Sequence, residues 1–242
     1  MKSRLYILYQ LLGIVFWQSS LAQTTISHFK HLTIDDGLSQ NSINCIHQDR
    51  FGFIWLGTQD GLNRYDGLRF VQYRHERTNP NSISNNYIWD IHEDEDGIFW
   101  LATFGGGLNR LDPLTGKITC YKPVSGDPAS FPSNRLFSIA EYPKGILWIG
   151  SNEGLIRFEK STEQSKIFLA RRKPDNTLSD HYIGVVAVDD FGQVWMRSDS
   201  GLTSFNTKTL TSTTFQRLPF SKTIEIENVT DIKNINNFKI LI

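Results

Sequence analysis

This 242-residue chain has little sulfur, no net charge and no apolar run long enough to cross a bilayer. Each shortage removes a class of function. Lys plus Arg and Asp plus Glu number 25 each, so there is no basic stripe for nucleic acid or for an anionic membrane surface. The apolar stretch from Leu5 to Trp17 is 13 residues long, whereas a spanning helix needs about 20. Lys2 and Arg4 precede it and Ser20-Leu21-Ala22 follow it, so residues 1–22 are expected to be a secretory signal cleaved before Gln23. No cysteine follows that site, and a lipid anchor is not suggested. Loss of Lys2 and Arg4 would leave 23 bases against 25 acids, a net charge of minus two.

What the chain does have is a repeat. Trp55, Trp100, Trp148 and Trp195 are spaced by 45, 48 and 47 residues. A glycine lies three positions before each (Gly52, Gly97, Gly145, Gly192), and a Gly-Leu pair follows six or seven positions after (Gly61-Leu62, Gly107-Leu108, Gly154-Leu155, Gly201-Leu202). Apolar residues recur nine positions before the tryptophan (Ile46, Ile91, Ile139, Val186) and twelve before (Ile43, Ile88, Leu136, Ile183). The units are rich in Gly, Asn, Asp and β-branched residues, and their short apolar runs are bounded by turn residues, so they read as strands. A period in the forties built of strands predicts an all-β fold, a β-propeller with one four-stranded blade per repeat.

Blades are expected at about 39–74, 82–122, 131–171 and 178–216, with a partial blade at 223–242. Residues 26–34 are expected to be a closing strand for a missing blade. On that count the chain 23–242 is expected to be an incomplete propeller of about four and a half blades, an open ring. The repeat glycines supply turns that need positive φ, and the tryptophans should wedge between neighbouring blades. The acid six positions before the tryptophan is Asp49, Asp94 and Asp189, but Tyr142 in the third unit. The second unit has an extra residue in Phe104-Gly105-Gly106-Gly107, and the fourth reads Trp195-Met196-Arg197-Ser198 where the first reads Trp55-Leu56-Gly57-Thr58.

Signals for chemistry are weak. Asp94-Glu95-Asp96-Gly97 lacks the alternating ligands and distant Glu of a calcium loop and reads as a solvated turn. The six histidines, His28, His31, His47, His75, His92 and His181, show no metal-ligand spacing with carboxylate support. Gly105-Gly106-Gly107 opens no helix that could hold a phosphate. No metal, cofactor or catalytic constellation is therefore expected, and no enzyme activity for this chain. Cys45 falls on an inner strand and Cys120 on the outer strand of the next blade, too far apart for a disulfide, so both are expected to be free thiols. If a ligand binds, it should do so where the linkers into each first strand meet the turns between second and third strands. Candidates there are Asn86, Tyr87, Phe104, Arg135, Glu153, His181 and Tyr182, aromatic, amide and charged groups suited to sugar rings. Trp89 is expected to serve blade packing.

The segment Asp49-Arg50-Phe51-Gly52-Phe53-Ile54-Trp55-Leu56-Gly57-Thr58-Gln59-Asp60-Gly61-Leu62-Asn63-Arg64-Tyr65-Asp66-Gly67 resembles the two-component regulator propeller repeat, as does Asp94 to Asp112. Phe29 to Ser39 is similar to the opening of the periplasmic sensors of Bacteroidetes hybrid two-component systems. The resemblance implies a periplasmic sensor region that binds a glycan or other small ligand. It also implies signalling through a transmembrane segment to a histidine kinase absent from this chain, and a homodimer in the full-length protein. The alternative class is a secreted propeller enzyme, a polysaccharide lyase or glycosidase.

Overall fold

The computed structural model describes residues 30–169, 181–198 and 201–215. The expected signal at 1–22 and partial blade at 223–242 lie outside the described residues. The chain divides into a short unit, Met1–Leu32, of which residues 30–32 are described and carry no regular secondary structure, and a large unit, Thr33–Ile242.

The large unit opens on a 3-10 turn, Ile34–Asp36. Thr33 caps it: its hydroxyl accepts from the Asp35 N–H, and the Asp36 carboxylate accepts from the Thr33 N–H at 2.9 Å. The described part of the expected closing strand at 26–34 is therefore not a strand. The capping box of Thr33 and Asp36 satisfies the local backbone groups that a sheet would otherwise take up.

Four antiparallel four-stranded sheets follow, each a meander in sequence order. The first holds β1 (Ile43–Gln48), β2 (Ile54–Thr58), β3 (Gly61–Tyr65) and β4 (Phe70–Tyr73); the second, β5 (Ile88–Glu93), β6 (Phe99–Thr103), β7 (Gly107–Leu111) and β8 (Ile118–Tyr121). The third holds β9 (Leu136–Glu141), β10 (Ile146–Ser151), β11 (Leu155–Glu159) and β12 (Gln164–Phe168); the fourth, β13 (Ile183–Val188), β14 (Gln193–Ser198), β15 (Gly201–Asn206) and β16 (Thr211–Phe215). The fold is thus an open all-β propeller arc, as the repeat predicts. Second strands such as β6 and β10 are buried along their whole length. Sheets cover both of their faces, so these strands read as continuous apolar runs rather than alternating ones.

The sheets pack face to face through three equivalent cores. Trp55 joins Ile88, Ile91, Phe99 and Leu101 of the second sheet. Trp100 joins Leu136, Ile139, Leu147 and Ile149 of the third, and Trp148 joins Ile183, Val186, Val194 and Met196 of the fourth. Each core therefore takes the tryptophan of one blade and the apolar pair twelve and nine positions before the tryptophan of the next. The indoles also stack on the outer strand of their own blade, Trp55 on Tyr73 at 5.6 Å and Trp195 on Phe215 at 5.9 Å between ring centroids.

A buried indole N–H needs an acceptor. Asp49, Asp94 and Asp189 provide one to Trp55, Trp100 and Trp195 at 2.8–2.9 Å. The third blade, which has Tyr142 at that position, substitutes the Tyr142 carbonyl, accepting from Trp148 Nε1 at 2.7 Å. The departure in sequence is thus absorbed by a backbone acceptor at the same point in space.

Gly61, Gly107, Gly154 and Gly201 all adopt positive φ, and at each a Cβ would meet a carbonyl of the outer strand: Tyr73, Tyr121, Phe168 and Phe215 in turn. Two constraints coincide there, a conformation that L side chains avoid and a backbone oxygen that cannot rotate away. Gly154→Ala is expected to cost about 2–3 kcal/mol and to lower the melting temperature by roughly 5–10 °C. Gly67→Ala, also at positive φ but with open space where the Cβ would stand, should cost about 1 kcal/mol. Thermal denaturation followed by circular dichroism distinguishes the two; equal losses would contradict the close-approach argument.

Cys45 lies on the inner strand β1 and Cys120 on the outer strand β8 of the next sheet. No bond joins them, and burial pushes the Cys120 thiol pKa up.

Candidate functional site

The inner strands are stitched together by side chains as well as by apolar packing. Asn44 donates to the Ile88 carbonyl at 2.8 Å, Asp90 accepts from the Ile139 N–H at 2.8 Å, and Ser138 accepts from the Val186 N–H at 3.1 Å. At the end where chains enter these strands, the turns between second and third strands bond to the linkers. Phe104 N–H donates to the Tyr87 carbonyl, Gly105 N–H to Asn134, and Asn152 N–H to Arg135, at 2.9, 2.7 and 3.3 Å. Phe104 and Arg135 also pair as an isolated β-bridge. Turn and linker residues from the second and third blades are thus held at fixed separations by backbone hydrogen bonds.

On that frame sits a continuous aromatic group. Tyr87 meets Phe104 edge-on at 5.5 Å and Trp89 at 5.3 Å; Trp89 meets Phe104 at 6.1 Å and Phe137 at 5.5 Å; Phe137 meets Tyr182 at 4.8 Å. The Arg135 guanidinium lies 5.3 Å from the Phe104 ring centroid. Phe137 is buried and forms the floor, Tyr87, Trp89 and Tyr182 are half-buried, and Phe104 and Arg135 are exposed. Mixed edge-on and tilted contacts leave ring faces of different orientation along one surface. Such a surface can stack on flat apolar faces, and Arg135 can donate to oxygen acceptors beside them.

The extra residue of the second unit has a visible effect here. Gly105 and Gly106 press against Asn85 and Ser84, the Ser84 hydroxyl donates to the Gly106 carbonyl at 2.7 Å, and Phe104 is left projecting at the head of the turn.

Of the seven sequence candidates, Tyr87, Phe104, Arg135 and Tyr182 are brought together. Asn86 is committed elsewhere: its Oδ1 accepts from the His75 N–H at 2.6 Å and its Nδ2 donates to Asp60 at 3.2 Å, tying the linker into the second blade to the β2–β3 turn of the first. Glu153 and His181 are exposed at the same end but are not members of the ring group among the described residues. Trp89 and Phe137 were not among the candidates. The signal for them was the position after the apolar residue twelve before the tryptophan, occupied by Asn44, Trp89, Phe137 and Gly184, which is aromatic only in the two middle blades. Trp89 does pack within the fold, as expected, and it also lies at the centre of this surface.

A polar cluster occupies the other end of the inner strands. Glu93 is held by His47 at 2.9 Å and Arg50 at 2.7 Å. Glu141 is held by His92 at 3.0 Å and Lys160 at 2.6 Å, and Lys160 reaches Asp94 at 2.9 Å. Apart from Glu141 with Lys160, which lies within the third blade, each pairing crosses from one blade to the next. Burial alone would raise the Glu141 pKa; hydrogen bonds from His92, Lys160 and the Gly145 N–H, with the charge of Lys160, outweigh it and hold the group at about 2. Asp94, similarly opposed by burial, is held low by Trp100, Lys160 and Ile98. With every oxygen facing a donor, the cluster acts as a clasp between blades rather than as an acid or base for substrate. Among the described residues no group of three or more His, Cys, Asp or Glu is placed to hold a metal ion, and no helix is long and apolar enough to cross a membrane.

Comparison with known proteins agrees with this geometry. The two-component regulator propeller family matches residues 37–60 and 82–105, the entry and inner halves of the first two sheets. Histidine kinase P4 of Formosa agariphila is 47% identical over 62 residues, 26% of this chain and 4% of that protein. Two solved extracellular domains of hybrid two-component systems from B. thetaiotaomicron share the fold. One is 26% identical with a TM-score of 0.61 over 77% of this chain and 27% of that one. The other is 24% identical with a TM-score of 0.58 over 76% and 31%. The chain thus spans less than a third of the length of each of these relatives. Two repeats of the chain thus match the two-component regulator propeller family, and two further sheets are built to the same plan.

Proposed function

We propose that this chain is the ligand-sensing propeller region of an exported hybrid two-component signalling protein, acting in the periplasm, and that it recognises an oligosaccharide on the surface formed by Tyr87, Trp89, Phe104, Arg135, Phe137 and Tyr182. The observation that carries the reading is the continuity of those rings across three blades, with a cation at their margin. Carbohydrate rings present apolar C–H faces that stack on aromatics and hydroxyls that need hydrogen-bond partners. The rigid blades hold the rings in place before ligand arrives, which lowers the ordering cost of binding. The relatives support the sensor part of the reading: one matched relative is a histidine kinase, and a solved extracellular domain of like fold belongs to a hybrid two-component system. Signal transfer requires a ligand that binds one arrangement of the full protein better than another; in this reading the arrangements are those of a homodimer whose kinase lies outside this chain.

Calorimetric titration of the chain against neutral and acidic oligosaccharides tests the reading. One class is expected to bind, and Phe104→Ala is expected to weaken it at least tenfold, about 1.4 kcal/mol, without altering the circular dichroism spectrum, because Phe104 is exposed. Absence of binding by any oligosaccharide, or binding that is indifferent to Phe104, would overturn it.

A further inference from the structure

Arg135 is a cation fixed in place with its charge uncommitted. Three contacts hold its backbone: its N–H donates to the Ser133 hydroxyl at 3.2 Å, its carbonyl accepts from the Asn152 N–H at 3.3 Å, and Phe104 pairs with it as an isolated β-bridge. The guanidinium lies over the Phe104 ring at 5.3 Å. By contrast Arg50, Arg74 and Arg157 each hold a carboxylate, that of Glu93, Asp60 and Glu159 in turn. Among the described residues no carboxylate pairs with Arg135, and its guanidinium donates no hydrogen bond. The acids at the same end do not neutralise it. Asp60 is taken by Arg74, Asp90 accepts from the Ile91 and Ile139 N–H groups, and Glu153 is exposed on the β10–β11 turn without an ion pair to Arg135.

We infer that this surface selects an acidic oligosaccharide, one whose sugar rings carry carboxylate or sulfate groups, and that Arg135 is the residue that reads the negative charge. The inference rests on the oligosaccharide reading of the same surface and narrows its ligand class. A guanidinium is planar and always charged, and it presents its N–H donors as a fork that matches two oxygens of one anion. An aromatic ring can cover the face of the group while its N–H edges stay open to a ligand. The acidic substituent of a pyranose stands at the rim of the sugar ring, and Arg135 stands at the margin of the aromatic platform, so a sugar stacked on the rings brings its anion to the fork. A hydroxyl there would accept one bond and leave the charge without a partner. The fixed backbone and the Phe104 contact lower the cost of ordering the side chain. Because Arg135 is exposed, water and salt screen the pairing, and the preference for acid is graded rather than absolute.

The test is calorimetric titration of the full chain with uronate-bearing and sulfated oligosaccharides, each beside its methyl-esterified or desulfated counterpart. An acidic member is expected to bind about tenfold more tightly than its uncharged counterpart, the gain from one charge-assisted fork, and to lose affinity as salt rises. Arg135→Gln should abolish that preference while the uncharged counterpart binds much as before, with an unchanged circular dichroism spectrum. Arg135→Lys, which keeps the charge and loses the fork, should retain part of the preference. Uncharged members that bind as tightly as the acidic ones, or a preference for acid that survives Arg135→Gln, would overturn this inference and leave the oligosaccharide reading standing. Absence of binding by every member would overturn both.

Discussion

Trp55→Ala should destabilise the propeller by about 3–5 kcal/mol, the cost of emptying a large aromatic from a core. Trp55 is fully buried, stacks on Tyr73 at 5.6 Å, and meets Phe99 of the next blade at 4.5 Å. Its removal opens a cavity between two sheets that the backbone ladders prevent from collapsing, and it leaves a buried Asp49 oxygen without the indole N–H it accepts. The same change at half-buried Trp195 should cost less, since only the stack on Phe215 and the bond to Asp189 are lost. Denaturant titration of both variants measures the difference. A Trp55→Ala loss no greater than that of Trp195→Ala would show that the indole is not a wedge.

The clasp between the second and third blades gives the other large effect. Lys160→Met should cost about 3–5 kcal/mol near neutral pH, as expected when one partner of a buried ion pair is removed and the others remain charged. Asp94 and Glu141, both nearly buried, would then lack the ammonium that lies between them. The pH dependence follows from the direction of the shifts. Glu141 in the folded chain titrates at about 2, below its ordinary 4.5, so the unfolded state binds more protons across that interval. Its contribution is fully present above about pH 4.5 and is lost as pH falls toward 2. Lys160 is shifted upward from 10.5, so its contribution is present below that pH and is lost only in stronger alkali. The wild type should therefore lose stability steeply between pH 4.5 and 2, and Lys160→Met less steeply, with denaturation midpoints at pH 7 and pH 3 as the measurement. Parallel pH profiles would contradict the clasp.

These two effects also mark what could be read from sequence. The tryptophans, the positive-φ glycines and the apolar pairs recur at fixed offsets because each blade solves the same packing problem, so the all-β propeller and its open arc were legible before any coordinates. The clasp was not. His47 and His92 lie one residue before Gln48 and Glu93 on their strands, yet each bonds the glutamate of the following blade, a pairing across more than forty residues that no local pattern announces. Ile34, expected as the last residue of a closing strand at 26–34, opens a 3-10 turn instead, because the capping chemistry of Thr33 and Asp36 decides between the two structures an apolar residue suits. At the aromatic surface, Tyr87, Phe104, Arg135 and Tyr182 could be placed from the loops alone. Phe137 could not, because a buried ring on an inner strand reads as core until its neighbours from the adjacent blades are known.

The functional account depends on ligand meeting the aromatic surface across the second to fourth blades. Fluorine NMR of the chain labelled with 5-fluorotryptophan tests it most directly. The sequence holds six tryptophans; among the described residues Trp55, Trp100 and Trp148 are buried between blades and Trp89 alone belongs to the ring group. On saturation with a binding oligosaccharide, the resonance assigned to Trp89 by its Trp89→Phe variant is predicted to shift while the blade tryptophans stay fixed. A bound oligosaccharide that leaves Trp89 unmoved, or that shifts Trp195 or the buried indoles instead, would contradict the account.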